Sequence, residues 1–305
     1  MNTKITSDMT TWIVISLTFC WINVLVAADV NFEVPLGQRQ LFLDDFGIQE
    51  THNLQHTLHQ PQKQGAVIRP DKFKGEEAVQ IRGVPTWDPE KKIYKLWLSG
   101  TQAPYRESLD GLHWTAMPHS TSGSSMMVRD PNERDPNRRF KAVALSSGFL
   151  VSPDAISWTK LDIPAIPGSD EGNFSYDPKE GLFIHSYKCG GPHGRSVGVA
   201  TSTDFQEWTN HGLVFHADDE DQIIGKQRIQ ARFADPHFHH PAYDIPATYN
   251  IDVYNMAMFR YESLYIGLPQ IYHKTGQVPP NWPGFDELPI SDEMLVNYHR
   301  DGDWA

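Results

Sequence analysis

The sequence predicts an all-β fold built from repeated four-stranded antiparallel units. Three observations lead there. A motif Ser-x-Asp-x-x-x-Trp recurs in ESLDGLHWT (107–115), VSPDAISWT (151–159) and TSTDFQEWT (201–209), with its tryptophans 44 and 50 residues apart. Ahead of each copy stand an Asp-Pro turn and an alternating apolar strand: WDPEKKIYKLWL (87–98), RDPNERDPNRRFKAVAL (129–145) and YDPKEGLFIHSY (176–187). The remaining apolar runs, such as SVGVATS (196–202) and SLYIGLPQIYH (263–273), are short and bounded by Gly, Pro, Asp or Asn. That is the pattern of strands and tight turns rather than of amphipathic helices.

Each unit follows from its residues in order. The first strand ends at Asp-Pro, because proline fixes φ and favours an extended residue before it. A second strand pairs back. A third runs into the Ser-x-Asp turn, whose short oxygen-bearing side chains bond nearby backbone N–H groups. Gly111 suits the first copy where φ turns positive. The tryptophan offers a broad apolar face for packing between sheets, and a fourth strand follows it. Three identical joints are expected of a repeat, whereas three identical active sites are not, so the motif is read as structural. Four strands every 40–50 residues is the period of a β-propeller blade. A fourth unit opens at VYNMAMFRYESLYIGLPQIYH (253–273) and runs to MLVNYHRDGDWA (294–305), with Asp301 three residues before Trp304. The His-, Asp- and Pro-rich stretch of about 217–250 reads as a loop between units three and four.

The N-terminal run TWIVISLTFCWINVLVAA (11–28) follows Lys4 and ends in small residues. It reads as a secretory signal, residues 1–28, with Val26 at −3 and Ala28 the last residue removed. A membrane anchor would be longer, and Asp29 stands where a basic stop would be. Bulky Phe19 and Trp21 around Cys20 disfavour a lipoprotein. Residues 29–305 then form one domain, secreted or periplasmic. The net charge of −12 leaves no basic stripe for nucleic acid. Once Cys20 departs with the signal, Cys189 has no internal disulfide partner.

Four segments carry a family resemblance: RQLFLDDFGIQETHNLQHTLHQP (39–61), GVPTWDPEKKIYKLWL (83–98), SDEGNFSYDPKEGLFIHSY (169–187) and FRYESLYIGLPQIYH (259–273). Through them most of 37–305 resembles the five-bladed β-propeller glycoside hydrolases of the invertase, levanase and arabinanase type. It is most similar to the secreted hydrolase-like proteins of planctomycetes. The resemblance implies a five-bladed ring, about four blades of which lie in this chain, with the C-terminal part incomplete. It also implies acidic residues on the innermost strands of successive blades.

Glycosidic cleavage needs one carboxylic acid to protonate the leaving oxygen, and a carboxylate to attack the anomeric carbon or activate water. Asp170 and Asp252 are the first candidates. Both begin Asp-x-x-Asn ahead of an apolar strand, at matching places in units three and four; their plainer reading is a strand-entry turn. Asp45, beside Asp44 after the strand RQLFL, is a further candidate or a solvated rim residue. Glu262 stands between aromatics, a setting that can raise a carboxyl pKa, or it is a hairpin residue. Arg195 can bind a sugar hydroxyl or pair with an axial acid. Tyr254, Trp87 and Trp97 can stack on sugar faces, although strand aromatics more often build core.

The sequence reading is thus a secreted, monomeric glycoside hydrolase acting on an oligo- or polysaccharide, with carbohydrate as its partner. No nucleic acid is involved, and no membrane after signal removal. The alternative is a catalytically inactive propeller that binds carbohydrate or protein. A six-bladed sialidase-like ring would need an arginine triad that the sequence does not show. The donors Asp235, His237, His239 and His240 in DPHFHHP (235–241) match no zinc spacing, and ADDEDQ (217–222) lacks the glycine of a calcium loop. No cofactor is assigned, and an axial calcium would leave no sequence signature.

Overall fold

The computed structural model describes residues 34, 36–37, 39–45, 47–76, 78–118, 126–145, 148–237 and 246–275. The chain divides into two compact units, Met1–Gln55 and His56–Ala305. The described part of the first is turns, bends and irregular chain. The expected signal, and the fourth Trp turn around Asp301 and Trp304, lie outside the described residues.

The second unit is predominantly β. Three four-stranded antiparallel sheets follow one another, each in strict chain order. The first is β1 (Thr86–Asp88), β2 (Ile93–Trp97), β3 (Tyr105–Ser108) and β4 (Thr115–Ala116). The second is β5 (Met127–Arg129), β6 (Phe140–Ala144), β7 (Gly148–Ser152) and β8 (Thr159–Lys160). The third is β9 (Gly172–Asp177), β10 (Leu182–Gly191), β11 (Gly194–Ser202) and β12 (Thr209–Phe215). A long hairpin, β13 (Asn250–Tyr261) with β14 (Leu264–Lys274), makes the fourth sheet.

The Ser-x-Asp turn joins strands three and four in every four-stranded sheet, and its hydrogen bonds are the same three times over. Ser108, Ser152 and Ser202 each accept from the N–H three residues on, at 2.9 Å. Asp110, Asp154 and Asp204 each accept from the two N–H groups two and three residues on, at 2.7–2.9 Å. These bonds replace the ladder partners that the chain loses as it reverses. The residue after each aspartate has positive φ: Gly111 at 77°, Ala155 at 63° and Phe205 at 60°.

The same turn locks neighbouring sheets together. In the second copy, Ala155 is fully buried. Its carbonyl accepts from Trp97 Nε1 of the first sheet at 2.7 Å, while the Asp154 carbonyl accepts from Lys95 Nζ at 2.7 Å. Ile156 and Trp158 pack on the cluster of Trp97, Tyr105, Met127 and Phe140. In the third copy, fully buried Phe205 and partly buried Trp208 join Val143, Phe149, Phe174 and Phe183, with Trp208 stacked on Phe149 at 4.6 Å.

The Asp-Pro turns carry buried charge. Lys95 sits 3.0 Å from Asp88, and Lys141 sits 2.7 Å from Asp130 and 2.9 Å from Glu133. Pairing is what makes burial of these ions tolerable. In the third sheet the lysine position holds Ile184, and the fourth sheet supplies the partners: Arg260 Nη1 at 2.8 Å and Tyr265 OH at 2.6 Å from Asp177 Oδ2. Burial alone would raise the Asp177 pKa; the bonds from Tyr265 and Arg260 outweigh it and hold the carboxyl below its ordinary value.

One expectation fails. The stretch 217–250, read as a loop, contains α1 (Asp219–Phe233). Its start is a reciprocal cap between Asp218 and Asp221, and Asp219, Glu220 and Asp221 complement the helix dipole in the first turn. Only Gly225 and Ile229 are buried, so the apolar stripe is too narrow to stand out as a helical period. Gln222 binds the helix to β13 by accepting from Ile251 N at 2.9 Å and donating to Ile251 O at 2.7 Å.

Candidate functional site

The β10–β11 hairpin of the third sheet ends in a glycine-rich tip, Gly190, Gly191 and Gly194, that lies beside the start of β13. The tip is pinned there by Asn250, whose Nδ2 donates to His193 O at 2.8 Å. Gly194 has φ of 114°, and a Cβ at that position would stand 3.1 Å from Asp252 Oδ2. A side chain would therefore be strained and crowded at once.

A depression of about 560 Å³ opens at this place, lined by Ser169, Asp170, Lys188, Cys189, the tip glycines, Arg195 and Tyr254. Lys188, on β10, is almost buried; its Nζ lies 2.8 Å from Asp170 Oδ1 and 3.7 Å above the Tyr254 ring. Arg195 opens β11. Its Nη1 donates to Asp252 Oδ2 at 3.1 Å, and its backbone N–H donates to the same oxygen at 3.3 Å. The guanidinium carbon stands 4.9 Å from the Tyr272 ring centre and 5.6 Å from that of Tyr254. Cations and tyrosine faces thus alternate: Lys188, Tyr254, Arg195, Tyr272. Each contact of this kind is worth about 0.5–2 kcal/mol, depending on desolvation.

The two aspartates differ in role. Asp170 is exposed, with 66% of its side chain open to solvent. The hydrogen bond from Lys188 holds its carboxyl below the ordinary value against the opposing effect of burial, so it is ionised at neutral pH. Asp252 is 3% exposed, and among the described residues its Oδ1 has no hydrogen-bond partner. Burial raises the pKa of the Cys189 thiol, which keeps it protonated and poorly nucleophilic.

The structure therefore brings Asp170, Asp252, Arg195 and Tyr254 together. It places Glu262 and Trp87 elsewhere in the same unit. Glu262 is in the two-residue β13–β14 turn with φ of 54°. Ten residues of strand separate it from Asp252, roughly 30 Å at the usual rise. Trp87, on β1 of the first sheet, is 42% exposed and packs on Tyr94 at 4.7 Å. Asp45 belongs to the first compact unit, where its carbonyl accepts from Ile48 N at 3.0 Å. Lys188 and Ser169 were not singled out from sequence. A lysine inside the apolar run GLFIHSYKCG was the available signal.

Among the described residues, no group of three or more His, Cys, Asp or Glu side chains is placed to hold a metal ion. Of the proposed metal loop only Asp235, Pro236 and His237 are described, with Asp235 accepting from His237 N at 2.9 Å. No described helix is long and apolar enough to cross a membrane. No protein-family model matches the chain, and no curated protein matches it in sequence.

Proposed function

We propose that the chain is a β-propeller related to the five-bladed glycoside hydrolases, and that the depression between its third and fourth sheets binds carbohydrate. The convergence of Asp170, Asp252, Arg195 and Tyr254 carries the reading. Of the positions matched by a sequence pattern in two successive repeats, Asp170 lines the depression and Asp252 holds Arg195, which lines it. The propeller arrangement is supported by the first strands, since β1 contacts β5, β5 contacts β9 and β9 contacts β13. It is supported again by the repeated joint, which always seats a sheet on the same face of its predecessor. In this proposal the signal read at 1–28 carries the protein out of the cytoplasm.

The site's chemistry suits a polyol. Lys188 and Arg195 offer donors, Asp170 offers exposed acceptors, and Tyr254 offers an aromatic edge and hydroxyl. Cleavage needs more: a carboxylic acid that holds its proton near neutral pH. Asp170 faces Lys188, a pairing that favours its charged carboxylate, and Asp252 is paired with Arg195. The residues of the depression therefore support binding ahead of hydrolysis.

The test is calorimetric titration of the secreted protein with neutral and acidic oligosaccharides, run beside an assay for newly released reducing ends. Saturable binding is expected, weakened by D170N and by Y254A, with no reducing ends released. Turnover that D170N abolishes would replace the binding reading with the hydrolase. Absence of binding across the panel would sink both.

A further inference from the structure

We propose that Arg82, on the chain leading into the first sheet, is a positioning residue for the depression beside the third and fourth sheets, holding Asp170 in place through an ion pair with Glu171. The proposal deepens the carbohydrate reading and rests on it for the ligand.

The pair joins two sheets that are not neighbours. β1 contacts β5 and β5 contacts β9, so the second sheet stands between the first and the third. Arg82 lies just ahead of Thr86, where β1 begins, and Glu171 directly precedes Gly172, where β9 begins. Arg82 Nη1 nevertheless pairs with Glu171 Oε2. The lead-in of the first sheet therefore reaches past the second to the lead-in of the third.

Both ends of this bridge are anchored. Gln80 and Ser99 exchange backbone hydrogen bonds of 3.0 Å, which fix the Arg82 segment to the first sheet beyond β2. Gln80 Oε1 also accepts from Arg82 Nη2 at 3.3 Å. On the far side, Ser169 N donates to Lys188 O at 3.1 Å, and Lys188 N donates to Glu171 O at 3.0 Å. Asp170 stands between those two bonds. Its Oδ1 accepts from Lys188 Nζ at 2.8 Å and from Ser169 Oγ at 3.0 Å.

Electrostatics explain why the tether matters. The Glu171 side chain is only 14% exposed, and a carboxylate so far out of water needs a partner. Among the described residues no cation other than Arg82 is paired with it. Without Arg82, Glu171 is drawn outward to water, and the peptide unit that it shares with Asp170 turns with it. Asp170 lines the depression, and the turn takes it off Lys188, whose hydrogen bond is the main cause of its depressed pKa.

The test follows the Asp170 carboxyl carbon by NMR titration of the ligand-free protein, the resonance being identified with D170N. R82M should move the titration upward toward the ordinary carboxylate value, and R82K should return it. E171M cuts the same tether from the other end and should also move it upward. Direct charge effects have opposite signs in the two variants, since one loses a cation and the other an anion; a rise in both isolates displacement. Should R82M not fold, E171M alone decides. Calorimetric affinity for oligosaccharide should fall about tenfold in R82M, the equivalent of one hydrogen bond to a charged group. R82K should recover it, and adding R82M to E171M should weaken binding no further. A titration that stays put in E171M overturns the inference, even where the melting temperature falls, because a merely structural pair would lower stability alone. A further loss of affinity on adding R82M to E171M overturns it too, since Arg82 would then meet the ligand itself. A wild type that binds no oligosaccharide overturns the carbohydrate reading instead, and the ligand-free titration still decides the role of Arg82.

Discussion

Asn173 on β9 donates from Nδ2 to Asn255 Oδ1 on β13 at 2.9 Å. The two Asp-x-x-Asn segments are thus joined through their asparagines, while Asp170 lines the depression and Asp252 pairs with Arg195 in its wall. Asn255 Oδ1 also accepts from Met256 N at 2.8 Å, beside the register shift in β13 between Val253 and Asn255. The asparagine position is therefore a link between sheets; of the aspartates three residues earlier, Asp170 is open to the depression and Asp252 is buried against Arg195.

Asn255→Ala should cost about 1–2 kcal/mol, the price of a part-buried hydrogen-bonded group and its stranded partner. The loss should be local. Hydrogen exchange should accelerate first in β13 and β14 while β5 to β8 stay protected. Uniform acceleration over all four sheets would mean that Asn255 is not a link specific to this joint.

Asp154 is held below its ordinary pKa. Burial opposes this, and the N–H groups of Ser157 and Ile156 overcome it. A depressed folded-state pKa adds stability that is complete above the unfolded value of about 4 and is lost as pH falls through the lower folded value. Asp154→Asn keeps an acceptor but loses the charge, so it should cost about 1 kcal/mol at pH 7. Melting temperatures of variant and wild type should converge on acidification. A gap that stays constant to pH 2 would show that charge is not what Asp154 contributes.

Lys141→Met should cost about 3–5 kcal/mol, because it strands the buried carboxylate of Asp130. Adding Asp130→Asn should recover much of that loss. Denaturant unfolding of the single and double variants measures the recovery, and simple additivity would contradict a coupled pair.

Gly225→Ala tests how α1 is seated. A Cβ at Gly225 would overlap the Ile251 side chain, so the helix must move off β13 or Ile251 must shift. A destabilisation of about 1–3 kcal/mol is expected, typical of overpacking, although alanine favours a free helix. Helix amides should exchange faster than in the wild type, and a stabilised variant would show that α1 is loosely docked.

The turns, hairpins and strand order were legible because their causes are local. Asp154 and Ser152 reach partners two or three residues away, and Asp-Pro punctuates its own strand. The helix was not legible, since α1 buries only Gly225 and Ile229 and is fixed by Gln222 to a strand 29 residues on. For the site, the shared Asp-x-x-Asn pattern singled out Asp170 and Asp252, but it gave no sign that one is open and the other buried.

By itself the sequence determined the repeat: where each sheet begins, where it turns, and which residues form the joint. Tertiary structure alone decided what meets across those joints. Arg195 finds Asp252 57 residues away, Lys188 lands on Tyr254, and Glu262 is held in a hairpin turn away from both. A backbone hydrogen-bond pattern repeats along the chain and can be read there. The burial and charge of a side chain depend on the neighbouring sheet, which one local stretch of sequence does not contain.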